Sequence, residues 1–220
     1  MHSTDIPRYV IKICGVTTAQ DAADAVTAGA TALGFNFYPK SPRYVSVDRA
    51  QKISESLPAG ILKVGVFVNA SAEELFTASP AVPLDVVQLH GELPARVPNV
   101  RIWRAKPVYN SFKSTVLSDL YEAYLLDAQS PDFGGSGQTF DWSLVATSNH
   151  SARLIVAGGL DASNVALAIA TLHPWGVDAC SRLESLPGRK DRLKVQAFVE
   201  AARAAFNHLS TGDTQVGPKN

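Results

Sequence analysis

The stretch "YVIKICGVTTAQDAADA", residues 9–25, holds a whole strand-to-helix transition. "YVIKIC" is a short β-branched run, apolar on both faces, as in a strand that is covered on each side. Gly15 breaks the run. "TAQDAADAVTAG" then carries Ala22, Ala25, Val26 and Gly29 at helical spacing. Gly29 is a fitting stop, because glycine readily takes the left-handed conformation that ends helices. Cys14 stands where strand gives way to loop, and the chain has only one other cysteine, Cys180.

Working outward, the same alternation recurs. Strands are expected at 9–14, 32–37, 62–67, 85–90, 101–105, 123–127, 153–158 and 176–180. Helical patterns lie between them. One spans 161–172, with Asp161 or Ser163 as its N-cap candidate. Another spans 192–206, with Val195, Phe198, Val199, Ala202 and Phe206 on one face. The helices after Gly91 and Asp141 are expected to be short. Eight strands alternating with helices imply parallel pairing and right-handed crossovers. A closed (β/α)8, or TIM, barrel of the α/β class fits that count. A doubly wound open sheet competes, but it calls for a G-x-G-x-x-G turn after the first strand, and "CGVTTAQ" is not one. No linker rich in Gly, Pro or Ser divides the chain. Residues 1–220 are therefore read as one barrel domain, with 207–220 as a flexible tail. The longest irregular piece, "QSPDFGGSGQTF" (129–140), reads as an active-site loop rather than a boundary.

Composition narrows the function. Twenty Lys and Arg balance 20 Asp and Glu among 220 residues, and there is no basic run. That argues against a nucleic-acid partner. "MHSTDIPRYV" lacks the apolar core of a signal peptide. No segment approaches the roughly 20 apolar residues of a membrane helix. The two cysteines lack metal-type spacing. The expectation is a cytoplasmic protein with reduced thiols, no metal and no membrane partner.

In such a barrel the reactive end is where the strands finish. Those ends carry Cys14, Lys40 and Arg43, Gln88 and His90, Asp127, Gly158-Gly159, and Cys180-Ser181. A free cysteine is more often a small buried residue, but a strand end before Gly15 favours a thiol facing the pocket. Asp127 follows the apolar "YLL". It is either a loop carboxylate or, in partly apolar surroundings, a protonated acid. Base and acid on one pocket define proton-transfer chemistry. Arg43 is either a solvated surface residue or a clamp for a carboxylate. Gly158-Gly159 and "GGSG" (134–137) either make tight turns or let backbone amides approach a phosphate. His90 reads as a pocket-wall residue. Lys12, Asn36 and Gln88 fall where a strand faces the barrel interior or its mouth.

Together these residues resemble one family. "KICGVTTAQDA", "GFNFYPKSPRYVS", "VGVFVN", "VQLHGE", "LLDAQSPDFGGSGQTFDW", "VAGGLDASNV" and "GVDACSRLESLPGRKD" are similar to phosphoribosylanthranilate isomerase of tryptophan biosynthesis, in family order from Lys12 to Asp191. The resemblance implies a cofactor-free Amadori rearrangement of N-(5-phosphoribosyl)anthranilate, a phosphorylated small molecule, by a monomer or homodimer. It implies that Cys14 is the general base, Asp127 the general acid and Arg43 the partner of the anthranilate carboxylate. Gly158, Gly159, Asp178 and Ser181 complete the expected substrate-binding set. The rival is the aminoaldose isomerase of histidine biosynthesis, or a dual-substrate version. That enzyme uses an aspartate where Cys14 stands, and its substrate carries two phosphates. A non-catalytic phosphate-binding scaffold is a third reading, disfavoured by the presence of both Cys14 and Asp127. One departure stands out: "GVDACSRLE" has Cys180 where the family has serine and Arg182 where it has glycine. A hydroxyl donor to phosphate is lost, and Arg182 is expected to be strained if the glycine needed φ > 0.

Overall fold

The computed structural model describes residues 6–109, 117, 120–128, 139–146 and 152–212. Eight parallel strands close into a barrel in chain order. They are β1 (Val10–Cys14), β2 (Ala32–Asn36), β3 (Leu62–Val68), β4 (Val86–His90), β5 (Arg101–Val108), β6 (Ala123–Ala128), β7 (Arg153–Val156) and β8 (Gly176–Ala179). Lys12 of β1 pairs with Ala32 on one side and Asp178 on the other, so the first strand shuts the ring. The helices are α1 (Ala19–Ala28), α2 (Val47–Glu55), α3 (Ala72–Ala81), α4 (Ser143–Ala146), α5 (Val165–Leu172) and α6 (Arg192–Gly212). A small antiparallel hairpin, β9 (Glu184–Leu186) with β10 (Arg189–Lys190), follows β8. None of the described helices is long and apolar enough to cross a membrane.

The two-residue period of the strands sorts their side chains. Ile11, Ile13, Leu33, Phe35, Val87, Leu89, Val177 and Ala179 point outward into the core beneath the helices. Val10, Ala32, Leu62, Val64, Val86, Trp103, Ala123, Leu125 and Ile155 point inward and fill the barrel floor. Trp103 is fully buried there, donates Nε1–H to Glu122 at 2.9 Å and meets Trp175 edge-on. Glu122 thus stands beside the barrel floor. Counting on by twos from the floor gives Lys12 and Cys14 on β1, Asn36 on β2, Gln88 and His90 on β4, Asp127 on β6, and Asp178 then Cys180 on β8. The inward side of the strands therefore changes from apolar to polar on the way up.

Local signals explain the elements. Thr18 caps α1 by accepting from the Asp21 N–H, and Gly29 ends that helix at φ 98°. Ser46 caps α2, and Ser71 and Glu74 form a reciprocal capping box on α3. Three expectations need correction. Residues 91–100 contain no helix, since Pro94 and Pro98 withhold the N–H groups a helix needs. The N-cap position of α5 falls on Asn164, whose side chain makes no capping bond, while Asp161 accepts from the Ser163 N–H and from Arg182 ahead of the helix. Finally, α6 continues through 207–212, where the tail was expected to begin; residues 213–220 lie outside the described part.

Candidate active site

One hollow opens at the strand ends, and its lining includes Cys14, Arg43, Gln88, His90, Asp127, Asp178 and Cys180. Gly158, Gly159 and Ser181 stand at the neighbouring ends of β7 and β8. Of the expected loop 129–140, residues 129–138, with the "GGSG" segment, lie outside the described residues.

At the base of the hollow, Lys12 donates to Asp178 at 2.9 Å with no solvent exposure of its own. Against that burial, Asp178 and Cys14 hold Lys12 protonated. Burial pushes Asp178 up while Lys12 pulls it down. We regard the pair as ionised, because a buried ammonium needs a counter-charge. The Lys12 charge also draws Cys14 down, against its burial. Cys14 itself is held in a tight seat. A Cβ on Gly34 would come within 2.9 Å of its sulfur.

Asp127 lies on β6, three strands round from Cys14 by way of β8 and β7. Burial, followed by the nearby Asp178 carboxylate, pushes it up to about 7. Gly158, at φ 83°, is packed against it: an added Cβ would sit 2.9 Å from Asp127 Oδ1 and 2.6 Å from the Ala128 nitrogen. Here glycine is required both for its conformation and for the space. Gly159 follows at φ 58°, and its carbonyl accepts from Asn164 at 2.8 Å. Arg182 reaches back to Asp161 at 2.7 Å, tying the β8 turn to the β7 turn. Ser181 opens that 3-10 turn, Ser181–Leu183. Arg182 is not at positive φ, so the strain expected of it is absent.

Arg43 lines the hollow, yet it is not an open clamp. Its Nε and Nη2 donate to the two carboxylate oxygens of Glu184 at 2.9 and 2.8 Å. An incoming carboxylate would meet the other edge of the guanidinium. Lys190 Nζ also binds Glu184, at 3.0 Å. Against burial, Arg43 and Lys190 hold Glu184 below the usual carboxylate range. This support was missed in the sequence. Glu184 and Lys190 belong to a hairpin with no period to read, and only proximity reveals their role.

His90 is lowered to about 3 by burial and by Lys12 and Arg104, so it is neutral. It accepts from the Gln88 amide at 2.8 Å. Gln88 Oε1 is buried and has no protein partner. Among the described residues, no cluster of His, Cys, Asp and Glu is arranged to hold a metal ion.

Residues 11–201 match the family model described as N-(5'-phosphoribosyl)anthranilate (PRA) isomerase. An N-(5'-phosphoribosyl)anthranilate isomerase of Solibacter usitatus is 49% identical over 201 residues, which cover 90% of this chain and 98% of that protein. The phosphoribosyl anthranilate isomerase structure from Thermotoga maritima is 36% identical, covers 89% of this chain and 99% of its own, and superposes with a TM-score of 0.75. A further structure, of a phosphoribosyl anthranilate isomerase in complex with reduced 1-(o-carboxyphenylamino)-1-deoxyribulose 5-phosphate, is 33% identical with a TM-score of 0.73, covering 89% and 99% of the two chains. A closed barrel whose polar inward residues gather at one rim, with these matches along nearly its whole length, shows that the chain belongs to the N-(5'-phosphoribosyl)anthranilate isomerase family.

Proposed function

We propose that this hollow isomerises N-(5'-phosphoribosyl)anthranilate to 1-(2-carboxyphenylamino)-1-deoxyribulose 5-phosphate, with Asp127 as general acid and Cys14 as general base. The observation that carries the reading is a buried carboxyl, raised to about 7, sharing one hollow with a thiol whose charge feels a buried lysine. Asp127 protonates the furanose ring oxygen. The anilino nitrogen lone pair opens the ring to an iminium, which acidifies the proton on C2'. The Cys14 thiolate removes that proton. The enolamine that results tautomerises to the ketone.

Arg43 holds the anthranilate carboxylate through the guanidinium edge that Glu184 leaves open. Gly158, Gly159 and Ser181, at the adjoining turns of β7 and β8, offer backbone N–H groups to the phosphate. Asp178 completes the set by fixing Lys12 beneath the thiol. Anchors at both ends of the substrate keep its reacting carbons between acid and base. All these groups come from one barrel domain of one chain, so a monomer suffices and a homodimer is compatible.

The test is turnover of purified protein on N-(5'-phosphoribosyl)anthranilate beside the two-phosphate aminoaldose of histidine biosynthesis. Efficient conversion of the first and little of the second supports the reading. Conversion of neither, or a preference for the second, would refute it.

A further inference from the structure

Cys180 has no part in the mechanism above, yet it touches its centre. Ile13 and Ala179 are register partners, which sets Cys14 and Cys180 side by side where β1 and β8 end. Both are free thiols, and both line the hollow. Lys190 Nζ lies 3.7 Å from the Cys180 sulfur, within reach of a hydrogen bond. Gly15 permits this approach, since a Cβ there would come within 3.1 Å of the same sulfur.

The charges around the pair are unbalanced. Lys12 on β1, Arg43 after β2 and Lys190 on β10 are cations; the two lysines are buried and Arg43 is partly buried. Asp178 on β8 and Glu184 on β9 are their carboxylate partners. His90 on β4 is neutral, and so is Asp127 on β6 while it serves as the acid. Three cations face two anions, and buried charge is costly unless it is matched. One thiolate restores the balance.

We infer that Cys14 and Cys180 work as a single dyad holding one thiolate, with Cys180 the positioning residue that keeps the anion and exchanges it with the catalytic Cys14. This rests on the reading of Cys14 as base. Before reaction the anion sits on Cys180, the sulfur nearer Lys190, and accepts the Cys14 S–H. When the iminium forms, the Cys14 proton passes to Cys180, and the Cys14 thiolate then takes the C2' proton. The protons balance: Asp127 has given one to the ring oxygen and the dyad has gained one from C2'. Transfer from dyad to Asp127 through solvent resets the site. The directions of shift agree. The bond to Cys180 and burial raise Cys14, while the same bond, with Lys190 and Arg43, lowers Cys180 against its burial.

The experiment measures kcat/KM against pH for the wild type, Cys180→Ser and Cys180→Ala, kept reduced by added thiol. Thiolate ultraviolet absorbance is titrated on the same proteins and on Cys14→Ser. The acid limb should move to higher pH in Cys180→Ala, by roughly one unit, because a hydrogen bond to a charged group is worth about a tenfold factor or more. Cys180→Ser should move it less, since a hydroxyl still donates to the Cys14 thiolate. The thiolate midpoint should rise in Cys180→Ala, which has lost the donor to its thiolate, and by less in Cys14→Ser, where a hydroxyl donates to the Cys180 thiolate more weakly than the dyad shares its proton. An acid limb unmoved by Cys180→Ala overturns the inference whatever the absorbance does. If that variant does not fold, an unchanged thiolate midpoint in Cys14→Ser overturns it instead. Full turnover in Cys14→Ser would instead remove the base role on which the inference rests, and is read separately from the titration.

Discussion

Asp127 gives the residue scale its clearest consequence. Its folded value of about 7 stands above the ordinary 3.8, so the folded state favours the protonated form. The stability it contributes is present at low pH and falls as pH rises from about 4 towards 7. Asp127→Asn removes that dependence. Its melting temperature should exceed that of the wild type by a margin that widens across this window and then stays level. A constant margin would mean that Asp127 is not shifted. Gly158 supplies a second residue-scale test. Gly158→Ala should cost at least about 1 kcal/mol for the left-handed backbone alone, with more for a methyl 2.6 Å from the Ala128 nitrogen. Urea denaturation measures the loss, and turnover should fall with it because Asp127 Oδ1 is displaced.

At the scale of elements, the strands and several of the residues that line the hollow were legible together for one reason. A strand's period of two is simple, and the barrel reads it from floor to rim. Val10, Lys12 and Cys14 therefore announced an inward face that becomes polar. The same parity put Asp127 above Leu125 and Cys180 above Asp178. Pairings across the rim were not legible, because they join residues far apart in sequence. Arg43 and Glu184 are separated by 141 positions, and nothing local to either names the other. The short helix expected after Gly91 failed for a local reason that was visible: the two prolines outweigh the alternation. The β9–β10 hairpin carries its own test. Glu184→Gln leaves Arg43 and Lys190 without their buried carboxylate, which should cost about 3 kcal/mol. KM should rise more than kcat falls, as expected where substrate positioning weakens. Urea denaturation and steady-state kinetics check the two parts.

Across the whole molecule, the barrel divides labour along its axis. Apolar side chains fill the floor, and the rim is left free for charged groups that only a rigid ring can hold at close quarters. Trp103 is the largest of the fully buried floor residues. Trp103→Ala should cost about 3–5 kcal/mol in chemical denaturation, while the surviving folded fraction keeps its KM, because Trp103 is not among the residues that line the hollow. A large rise in KM at small stability cost would mean that floor and rim are not separate. The most direct measurement of the central claim is steady-state turnover of N-(5'-phosphoribosyl)anthranilate by Cys14→Ser and Asp127→Asn, with folding checked by circular dichroism. Each substitution should lower kcat by about 100- to 10,000-fold, the usual contribution of a general acid or base, with the fold intact. Turnover near the wild-type rate in either folded variant would contradict the assignment of that residue to proton transfer.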